Sequence, residues 1–244
     1  MDEQSAAQRL AARLELPGEP SANLRQALIH QSYLNERGGE RHESNERLEF
    51  LGDAILGAIV ADVLYRRYPH RLEGELTMMR TWLIRASTLA RWALRLDLGQ
   101  LVLLGRGEER SGLRSHETLL AQVFEAVVGA VYLDRGLEGA RSLILPLLEA
   151  ELEAGDPLAL AQDPKSRLQH RSQMLFGETP RYELVEATGP DHSPTFTFRA
   201  VAGQGITALG TGKTKQAAQQ EAAEAALAEL ERRYPTPPSE AGGG

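Results

Sequence analysis

Asn45 to Gly57 reads NERLEFLGDAILG, and this stretch decides the fold that the sequence predicts. Apolar residues recur in it at three- and four-residue spacing from Leu48 onward, which is the period of an amphipathic helix, and the predicted helix covers Asn45–Arg67. The same spacing runs from Asn23 to about Glu153, interrupted by glycine and proline breaks. We therefore expect an all-α domain in this part of the chain.

Three carboxylates share one face of this predicted helix. Glu46, Glu49 and Asp53 fall within an arc of about 60° when each residue turns the helix by 100°. Their neighbours are mostly apolar, whereas a solvated acidic face usually has many charged neighbours. Clustered carboxylates repel one another unless a cation neutralises them, and oxygen ligands suit Mg²⁺ or Mn²⁺. This row of three carboxylates, Glu46, Glu49 and Asp53, therefore predicts a divalent-cation site.

A second candidate pair lies in the helical stretch Glu117–Leu133. Gln122 and Glu125 share a face there at i and i+3, and Glu125 is again surrounded by apolar residues. Taken alone, such a glutamate is as readily a buried structural partner as a metal ligand. The chain contains no cysteine, so any metal must be held by oxygen or imidazole.

Composition limits the class of protein. A chain of 244 residues, 42% of them hydrophobic, can form one core domain with a smaller appendage. The net charge of −7 argues mildly against nucleic-acid binding, unless the acidic excess is concentrated elsewhere, as in a metal site, and basic residues cluster locally. Apolar stretches are too short for a membrane helix and no signal core begins the chain. We expect a soluble cytoplasmic protein.

The helical spacing of apolar residues ends after residue 153. Two Asp-Pro pairs and the absence of a clear period predict a linker over 154–162 and a new domain over 163–233. Its predicted order is α-β-β-β-α, a small α+β unit, and the tail 234–244 is expected to be disordered. The predicted elements are a helix over Pro164–Gln173 capped by Asp163, strands at Arg181–Thr188, Thr195–Ala202 and Gly205–Leu209, and a helix from about Lys213 to Arg232.

Asn45–Gly57 resembles the signature of the ribonuclease III family, whose pattern is close to NERLEFLGDxxL. The 163–233 segment resembles a double-stranded RNA-binding domain in DPKSRLQ, GPDHSPTF and GTGKTKQAAQQEAA. The resemblance implies a helical endonuclease domain over 1–153, followed by that RNA-binding domain. Flanking segments that resemble the same family are LIHQSYLNE at Leu28–Glu36, EGELT at Glu73–Thr77, LGRGE at Leu104–Glu108 and VVGAVYLDRG at Val127–Gly136.

The resemblance also implies the site residues and the cofactor, which is Mg²⁺ with Mn²⁺ as a substitute. At the fourth metal position the family usually has aspartate, and this chain has Gln122. The amide removes one negative charge but still offers a carbonyl oxygen, so we expect weakened or altered metal dependence, with a preference for Mn²⁺ or for higher Mg²⁺. The implied metal ligands are Glu49, Asp53, Gln122 and Glu125, and the implied catalytic residues are Asp53, Glu125, Glu46 and Glu73.

The activity implied by the resemblance is metal-assisted hydrolysis of double-stranded RNA, which leaves staggered ends with 5′-phosphate and 3′-hydroxyl groups and serves rRNA and mRNA processing. Homodimers of the family cut both strands, and Phe50 occupies the matching interface position; the alternative is a core aromatic of a single domain. Gly52 and Gly57 each cost about 1 kcal/mol in a helix relative to alanine, which a close backbone approach would explain.

The RNA-binding domain is expected to read the shape of A-form RNA rather than its sequence. Lys213 and Lys215 would contact phosphates across the major groove, and Gln216 stands where the family often has lysine. With nine basic and nine acidic residues in 163–233, attraction for RNA must come from local placement. The minor-groove contacts are expected from Ser166, Gln169, His170 and Gln173 on the first helix and from His192 in the loop.

Two alternative functions remain open at this point. Loss of metal affinity through Gln122 would leave a non-catalytic dimer that binds double-stranded RNA. An unrelated four-carboxylate DNA nuclease or phosphohydrolase would keep the metal chemistry, but it leaves the C-terminal domain unexplained. The sequence has no Ser-His-Asp or Cys-His motif that would indicate nucleophilic catalysis instead, and His30 is expected to be structural.

Overall fold

A computed structural model describes residues 2–161, 163–190, 193–203 and 205–234. This part of the chain divides into two compact units, within the bounds Met1–Ala161 and Gln162–Gly244. The first unit is built of helices and the second combines two helices with a three-stranded sheet. The predicted fold class, an all-α domain followed by a small α+β domain, is confirmed.

The first unit is organised around its two longest helices, α4 and α9. Both contribute fully buried side chains, such as Leu56 and Phe124, to one continuous core. Among the described helices, none is long and apolar enough to cross a lipid bilayer. The helices are α1 (Glu3–Arg13), α2 (Ala22–Gln26), α3 (Gln31–Asn35), α4 (Glu46–Arg67), α5 (Glu73–Leu83), α6 (Ala86–Arg95), α7 (Leu98–Leu101), α8 (Arg106–Arg110), α9 (Glu117–Ala154) and α10 (Pro157–Ala161), with 3₁₀ turns at Arg41–Glu43 and Leu113–Ser115.

The backbones of α4 and α9 touch where two glycines meet. A Cβ atom on Gly52 would overlap the carbonyl oxygen of Glu125 and lie 2.6 Å from its carbonyl carbon. A Cβ atom on Gly129 would overlap the carbonyl oxygen of Leu48 and lie 3.2 Å from the nitrogen of Gly52. Only glycine permits this approach, so the pair sets the distance between the helices. The close backbone approach predicted at Gly52 is confirmed.

Among the described residues, the side of α4 that carries Phe50 and Gly57, its outer side, is open to solvent. No neighbouring atom lies within 4 Å of a Cβ atom placed on Gly57, so the close approach predicted there does not occur inside the chain. Phe50 is 81% exposed, which shows that the core alternative for this aromatic ring is wrong. The helix therefore buries one face against α9 and presents another to solvent.

Helix α9 is interrupted near its middle. Gly136 has φ 67° and ψ −169°, a conformation that glycine adopts far more readily than other residues, and helical geometry resumes after it. This break is one of the glycine interruptions that the sequence predicts, and Pro146 lies inside the second helical part.

The stretch expected to be an irregular linker, 154–162, contains helix α10. Pro157 and Leu158 of this helix are buried in the first unit, where α10 packs against α5. Arg71 supports this packing with ion pairs of 3.3 Å to both Glu75 and Asp156. The burial of Leu158 explains why the structure differs here from the prediction.

The second unit has the predicted order of elements. Its antiparallel sheet has the order β1-β2-β3, and Asp163 caps the first helix by accepting hydrogen bonds from the backbone of Lys165 and Ser166. The third strand extends three residues beyond its predicted end, and the last helix begins at Lys215 because Thr214 caps it. The elements are α11 (Pro164–Phe176), β1 (Arg181–Thr188), β2 (Thr195–Ala202), β3 (Ile206–Gly212) and α12 (Lys215–Arg233).

The core of the second unit lies between the sheet and its two helices. Phe198, Ala200 and Ala202 of β2 are buried, as their alternation predicts. Tyr234, which was expected to belong to the disordered tail, packs edge-on against Phe176 with ring centroids 5.3 Å apart. The rest of the predicted tail, 235–244, lies outside the described residues.

The glycine contact gives a first prediction. We expect Gly129→Ala to lower the free energy of unfolding of the first unit by about 1–3 kcal/mol, because the added methyl group must push α9 away from α4. Chemical denaturation followed by circular dichroism measures this change. Gly74→Ala in α5 is the control, since its added Cβ meets no atom within 4 Å, and it should be neutral or slightly stabilising. Equal stability of the Gly129→Ala protein and the wild type would contradict the prediction.

Candidate active site

The start of α4 is anchored by the residue that precedes it. Asn45 is buried, its backbone N–H donates to the carbonyl oxygen of Ile29 at 2.8 Å, and its side chain reaches the carbonyl oxygen of Ala27. Glu46 and Glu49 consequently fall in the first turn of a helix whose position is held by the core. The positive end of the helix dipole favours carboxylates in this turn.

Four oxygen-bearing side chains form a cluster across the α4–α9 contact. Glu49 and Asp53 lie on α4 beside Gly52, and Gln122 and Glu125 lie on α9, about two turns and one turn before Gly129. Glu49, Gln122 and Glu125 are partly buried, whereas Asp53 is exposed. The predicted metal ligands are therefore brought together, with one side of the cluster open to solvent.

The carboxylates of the cluster are partly buried and close to one another, and both effects raise their pKa values. Burial raises the pKa of Glu125 to about 7, and the nearby charges of Asp53 and Glu49 add to this effect. Burial also raises the pKa of Glu49, while a hydrogen bond from Gln122 acts in the opposite direction and Glu46 and Asp53 again raise it. A cation placed among these groups would offset both burial and repulsion.

The donor set suits a hard divalent cation. All four side chains offer oxygen, the ligand that Mg²⁺ and Mn²⁺ prefer. Among the described residues, no three Asp, Glu or His side chains form a metal-holding group by themselves. The shell would therefore need the carbonyl oxygen of Gln122, water and substrate phosphate, which agrees with the tendency of Mg²⁺ to keep waters and to bind few protein carboxylates.

Glu46, the third member of the predicted row, is held by an arginine. Its carboxylate accepts two hydrogen bonds from Arg41, at 2.8 and 3.1 Å, and the hydrogen bond from Arg41 lowers the pKa of Glu46. Arg41 carried no sequence signal as a functional residue, because a lone arginine in a loop is common. Glu46 therefore lies at the edge of the cluster with its charge already paired.

A histidine and a further glutamate adjoin Glu46. The Nδ1 atom of His30 lies 2.8 Å from the hydroxyl oxygen of Ser32, which also accepts the backbone N–H of Gly105 at 2.9 Å. Burial lowers the pKa of His30, while the charges of Glu108 and Glu46 raise it. Glu108 was not predicted as a site residue, although the segment LGRGE that contains it was noted for its resemblance.

Glu73 lies apart from the cluster within this chain. It begins α5 and accepts a hydrogen bond of 2.9 Å from the hydroxyl of Thr77. It also lines a cleft of about 490 Å³ together with Tyr65 and Arg80. Glu73 is not among the charges that act on Glu49 or Glu125, so one chain does not join all the predicted catalytic residues.

The predicted phosphate-binding lysines of the second unit flank the start of α12. The ammonium group of Lys213 donates to the hydroxyl of Thr195 at 3.1 Å, and that of Lys215 lies 5.9 Å from the ring centroid of Phe196. Both side chains are exposed. Together with the N-terminus of α12, they form a positive surface of the kind that binds phosphate.

The predicted minor-groove residues form an exposed face of α11. Gln169, His170 and Gln173 are exposed, and the exposed Ser166 donates from its hydroxyl to the capping residue Asp163 at 2.7 Å. Lys165 of the same helix is engaged within the second unit, because its ammonium group donates to Gln219 and lies over the ring of Tyr182. His192, the last predicted contact, lies outside the described residues.

The raised pKa of Glu125 predicts how stability depends on pH. In the unfolded chain the group titrates near its ordinary value of 4.5, and in the folded chain near 7. The unfolded state therefore loses its proton first as pH rises, and the cation-free protein should lose stability between about pH 4.5 and 7. Melting temperatures measured in EDTA across this range test the effect.

Glu125→Gln is the informative variant for this test. It should melt several degrees higher than the wild type at pH 8 in EDTA, because it removes a buried charge, and the two proteins should converge near pH 4.5. Glu153→Gln is the control, since Glu153 is exposed on the same helix. A constant difference between Glu125→Gln and the wild type at every pH would refute the assignment.

Comparison with known proteins places both units in described families. The family model described as "Ribonuclease-III-like" matches residues 21–151, more than half of the chain. The model described as "Double-stranded RNA binding motif" matches residues 164–230. The two matches fall within the helical unit and the α+β unit, respectively.

Two relatives are similar to this chain over most of their length. "Ribonuclease 3" of Roseiflexus sp. (strain RS-1) is 50% identical over 91% of this chain and 94% of that protein. "Ribonuclease 3" of Streptomyces coelicolor is 44% identical over 89% of this chain and 76% of that protein. Such identity over aligned lengths of more than 200 residues shows common family membership.

Solved structures agree with this assignment for the helical unit. The crystal structure of the nuclease domain of ribonuclease III from Campylobacter jejuni has a TM-score of 0.53 and 32% identity, and it covers 59% of this chain and 94% of that one. A second structure of that domain, with a TM-score of 0.54, is described by flexibility in a region involved in dimer formation. The carboxylate cluster on two contacting helices, the RNA-binding unit and these similarities together show that the chain belongs to the ribonuclease III family, as an endoribonuclease of that type with a double-stranded RNA-binding domain.

Proposed function

We propose that this endoribonuclease cuts double-stranded RNA as a divalent-cation-dependent homodimer, leaving staggered ends with 5′-phosphate and 3′-hydroxyl groups. The observation that carries the proposal is the cluster of Glu49, Asp53, Gln122 and Glu125, whose positions depend on the contact between Gly52 and Gly129. Mg²⁺ is the proposed cofactor, and Mn²⁺ its substitute.

The residues of the cluster have two proposed roles: some hold the cation, and one borders the side from which the substrate approaches. When bound, a divalent cation supplies an activated water and positive charge for the scissile phosphate. The partly buried carboxylates of Glu49 and Glu125 hold the inner side of such a site, and the exposed Asp53 borders the side that a substrate can reach. With a pKa of about 7, the Glu125 carboxyl group is only partly ionised near neutral pH in the cation-free protein, and a bound cation would favour its ionised form.

Glu46 has a different part in this proposal. Its carboxylate is paired with Arg41 and acts on Glu49 only as a nearby charge. An incoming RNA strand competes for Arg41, because a guanidinium group binds phosphate as well as carboxylate. Glu46 and Arg41 are therefore proposed to line the RNA cleft beside the cation site.

The second unit is proposed to deliver the substrate. Gln169, His170 and Gln173 present hydrogen-bonding groups on one exposed face of α11, as recognition of 2′-hydroxyl groups in the minor groove requires. Lys213 and Lys215 add positive potential at the start of α12. Contacts of this kind recognise helix shape, so many duplex sequences should be accepted.

A homodimer formed through α4 accounts for the exposed face of that helix. Phe50 and Tyr65 are 81% and 74% exposed, and between them Ala54, Gly57 and Ala58 leave room for a second backbone. Aromatic side chains of this size on a surface are typical of interfaces. The Campylobacter jejuni nuclease domain, which is described as forming a dimer, supports this part of the proposal.

We place the protein in the cytoplasm and its substrates among structured ribosomal and messenger RNA precursors. This part of the proposal rests on the family and on the absence of cysteine, which is common in cytoplasmic proteins that need no disulfide.

Cleavage of a long RNA duplex tests the central proposal. The wild type should cut the duplex in Mg²⁺ or Mn²⁺, lose this activity in EDTA and leave a DNA duplex of the same sequence intact. Glu49→Gln should reduce the cleavage rate by at least about 100-fold, because it removes a charged ligand from the cluster. Gel analysis and end-labelling measure the rate and the terminal groups.

Glu138→Gln is the matched control for this assay, because Glu138 is an exposed glutamate of α9 away from the cluster. It should cut at the rate of the wild type. A wild-type protein that binds duplex RNA but does not cut it with either metal would contradict the proposal and favour a non-catalytic RNA-binding protein.

Substitution of Phe50 tests the dimer. The wild type should have twice the chain mass of 26.8 kDa in light scattering, and Phe50→Glu should shift the protein towards the monomer, because a buried unpaired charge disfavours association. Leu94→Glu is the control, since Leu94 is an exposed apolar residue on α6. The interface is assigned wrongly if both variants remain dimers.

A further inference from the structure

The stretch that joins the two units contains a helix, α10 (Pro157–Ala161), which takes up five of the residues in 154–162. Asp156 holds the start of this helix. Its carboxylate accepts the backbone N–H of Leu158 at 3.0 Å, and its carbonyl oxygen accepts that of Leu160 at 3.1 Å. Proline in the first helical position and aspartate before it are both favourable at a helix start. The local sequence therefore begins the helix here.

Packing against the first unit keeps α10 in place. A helix of five residues is too short to be stable by itself in water. Leu158 is 4% exposed and belongs to the core of the first unit, and Pro157 is buried in the same helix. The helix that α10 packs against is α5. Apolar side chains thus dock α10 on the first unit.

Polar contacts tie the same segment to the start of α5. Arg71 forms ion pairs of 3.3 Å with both Asp156 and Glu75. Glu75 also accepts the backbone N–H of Leu72 at 2.9 Å, which closes the first turn of α5. The side chains of Arg71 and Glu75 are 32% and 16% exposed, so their ion pair is partly shielded from water. Asp156 therefore joins the start of α10 to the start of α5.

Docking of α10 leaves a short link between the two units. Helix α10 ends at Ala161 and the cap of α11 is Asp163, so a single residue of the sequence, Gln162, separates them. If all of 154–162 were extended instead, it could span about 30 Å. A longer flexible link lowers the effective concentration of one binding unit at a ligand that the other unit already holds. The docking of α10 should therefore affect how well both units bind one ligand.

We propose that α10 is a docked anchor for the RNA-binding unit: it fixes the origin of that unit's tether at the start of α5 and so raises the affinity of the whole protein for an RNA duplex. The inference rests on the proposed function only in taking the second unit to bind the duplex that the first unit cuts. The tether then begins on the helix whose first residue is Glu73, one of the proposed catalytic residues. Undocking of α10 would lengthen the tether and lower the duplex affinity.

Hydrogen exchange in the full-length protein tests whether α10 is docked. The amides of residues 158–161 should exchange at least about 10-fold more slowly in the wild type than in Leu158→Asp, because the new charge cannot stay in the core. Leu160→Asp is the matched control, since it makes the same change in the same helix at a leucine that is 51% exposed. Its exchange should stay within about 3-fold of the wild type. Equal exchange in the wild type and Leu158→Asp would overturn the inference.

Binding of a long RNA duplex in EDTA tests the tether without cleavage. Leu158→Asp should bind at least about 3-fold more weakly than the wild type, whereas Leu160→Asp, which adds the same charge, should bind within about 1.5-fold of it. A second variant has about eight Gly and Ser residues inserted between Gln162 and Asp163, which lengthens the tether but leaves α10 unchanged. It should bind as weakly as Leu158→Asp and keep the slow exchange of residues 158–161.

The insertion variant decides the question if Leu158→Asp fails to fold, as judged by circular dichroism. Wild-type duplex affinity in the insertion variant would overturn the inference, and so would equal weakening of binding in Leu160→Asp and Leu158→Asp. A wild type that binds the duplex but does not cut it contradicts the proposed function and leaves these comparisons intact. A wild type that does not bind the duplex overturns both.

Discussion

The contact between Gly52 and Gly129 is the constraint on which the rest of the site depends. Because neither residue has a Cβ atom, the backbones of α4 and α9 meet. Glu49, Asp53 and Glu125, which lie within about one turn of the two glycines, therefore come together in one cluster. Larger residues would separate the helices and also the two halves of the cluster. Helix packing and chemistry therefore have the same geometric origin, and a stability variant at either glycine is also a variant of the site.

Close packing has an electrostatic consequence. Glu49 and Glu125 are partly buried near other negative groups, which disfavours their ionised forms, and the pKa of Glu125 rises to about 7. Such an arrangement costs stability in the absence of a cation, and a cation bound at the proposed site would offset that cost. Gln122 adds an oxygen-bearing side chain to this cluster without adding a negative charge.

Surface features complete the picture of a protein that binds a large substrate. The outer face of α4 exposes Phe50, and the second unit exposes Gln169 on α11 and Lys213 and Lys215 at the start of α12. Residues 163–233 have no net charge, so this domain relies on the placement of a few basic side chains rather than on overall attraction. A net charge of −7 is compatible with RNA binding because part of the acidity lies in the cluster.

The sequence by itself determined the element order, the family and the carboxylate row, because helical periodicity and short motifs are local properties. It could not determine that Arg41 pairs with Glu46, that Glu73 lies apart from the cluster within one chain, or that Leu158 buries a helix in the expected linker. These depend on contacts between residues that are distant in sequence or on competition among neighbours. The grouping of Gln122 with Glu49 was likewise decided by tertiary structure, since only the contact between α4 and α9 brings their two helices together.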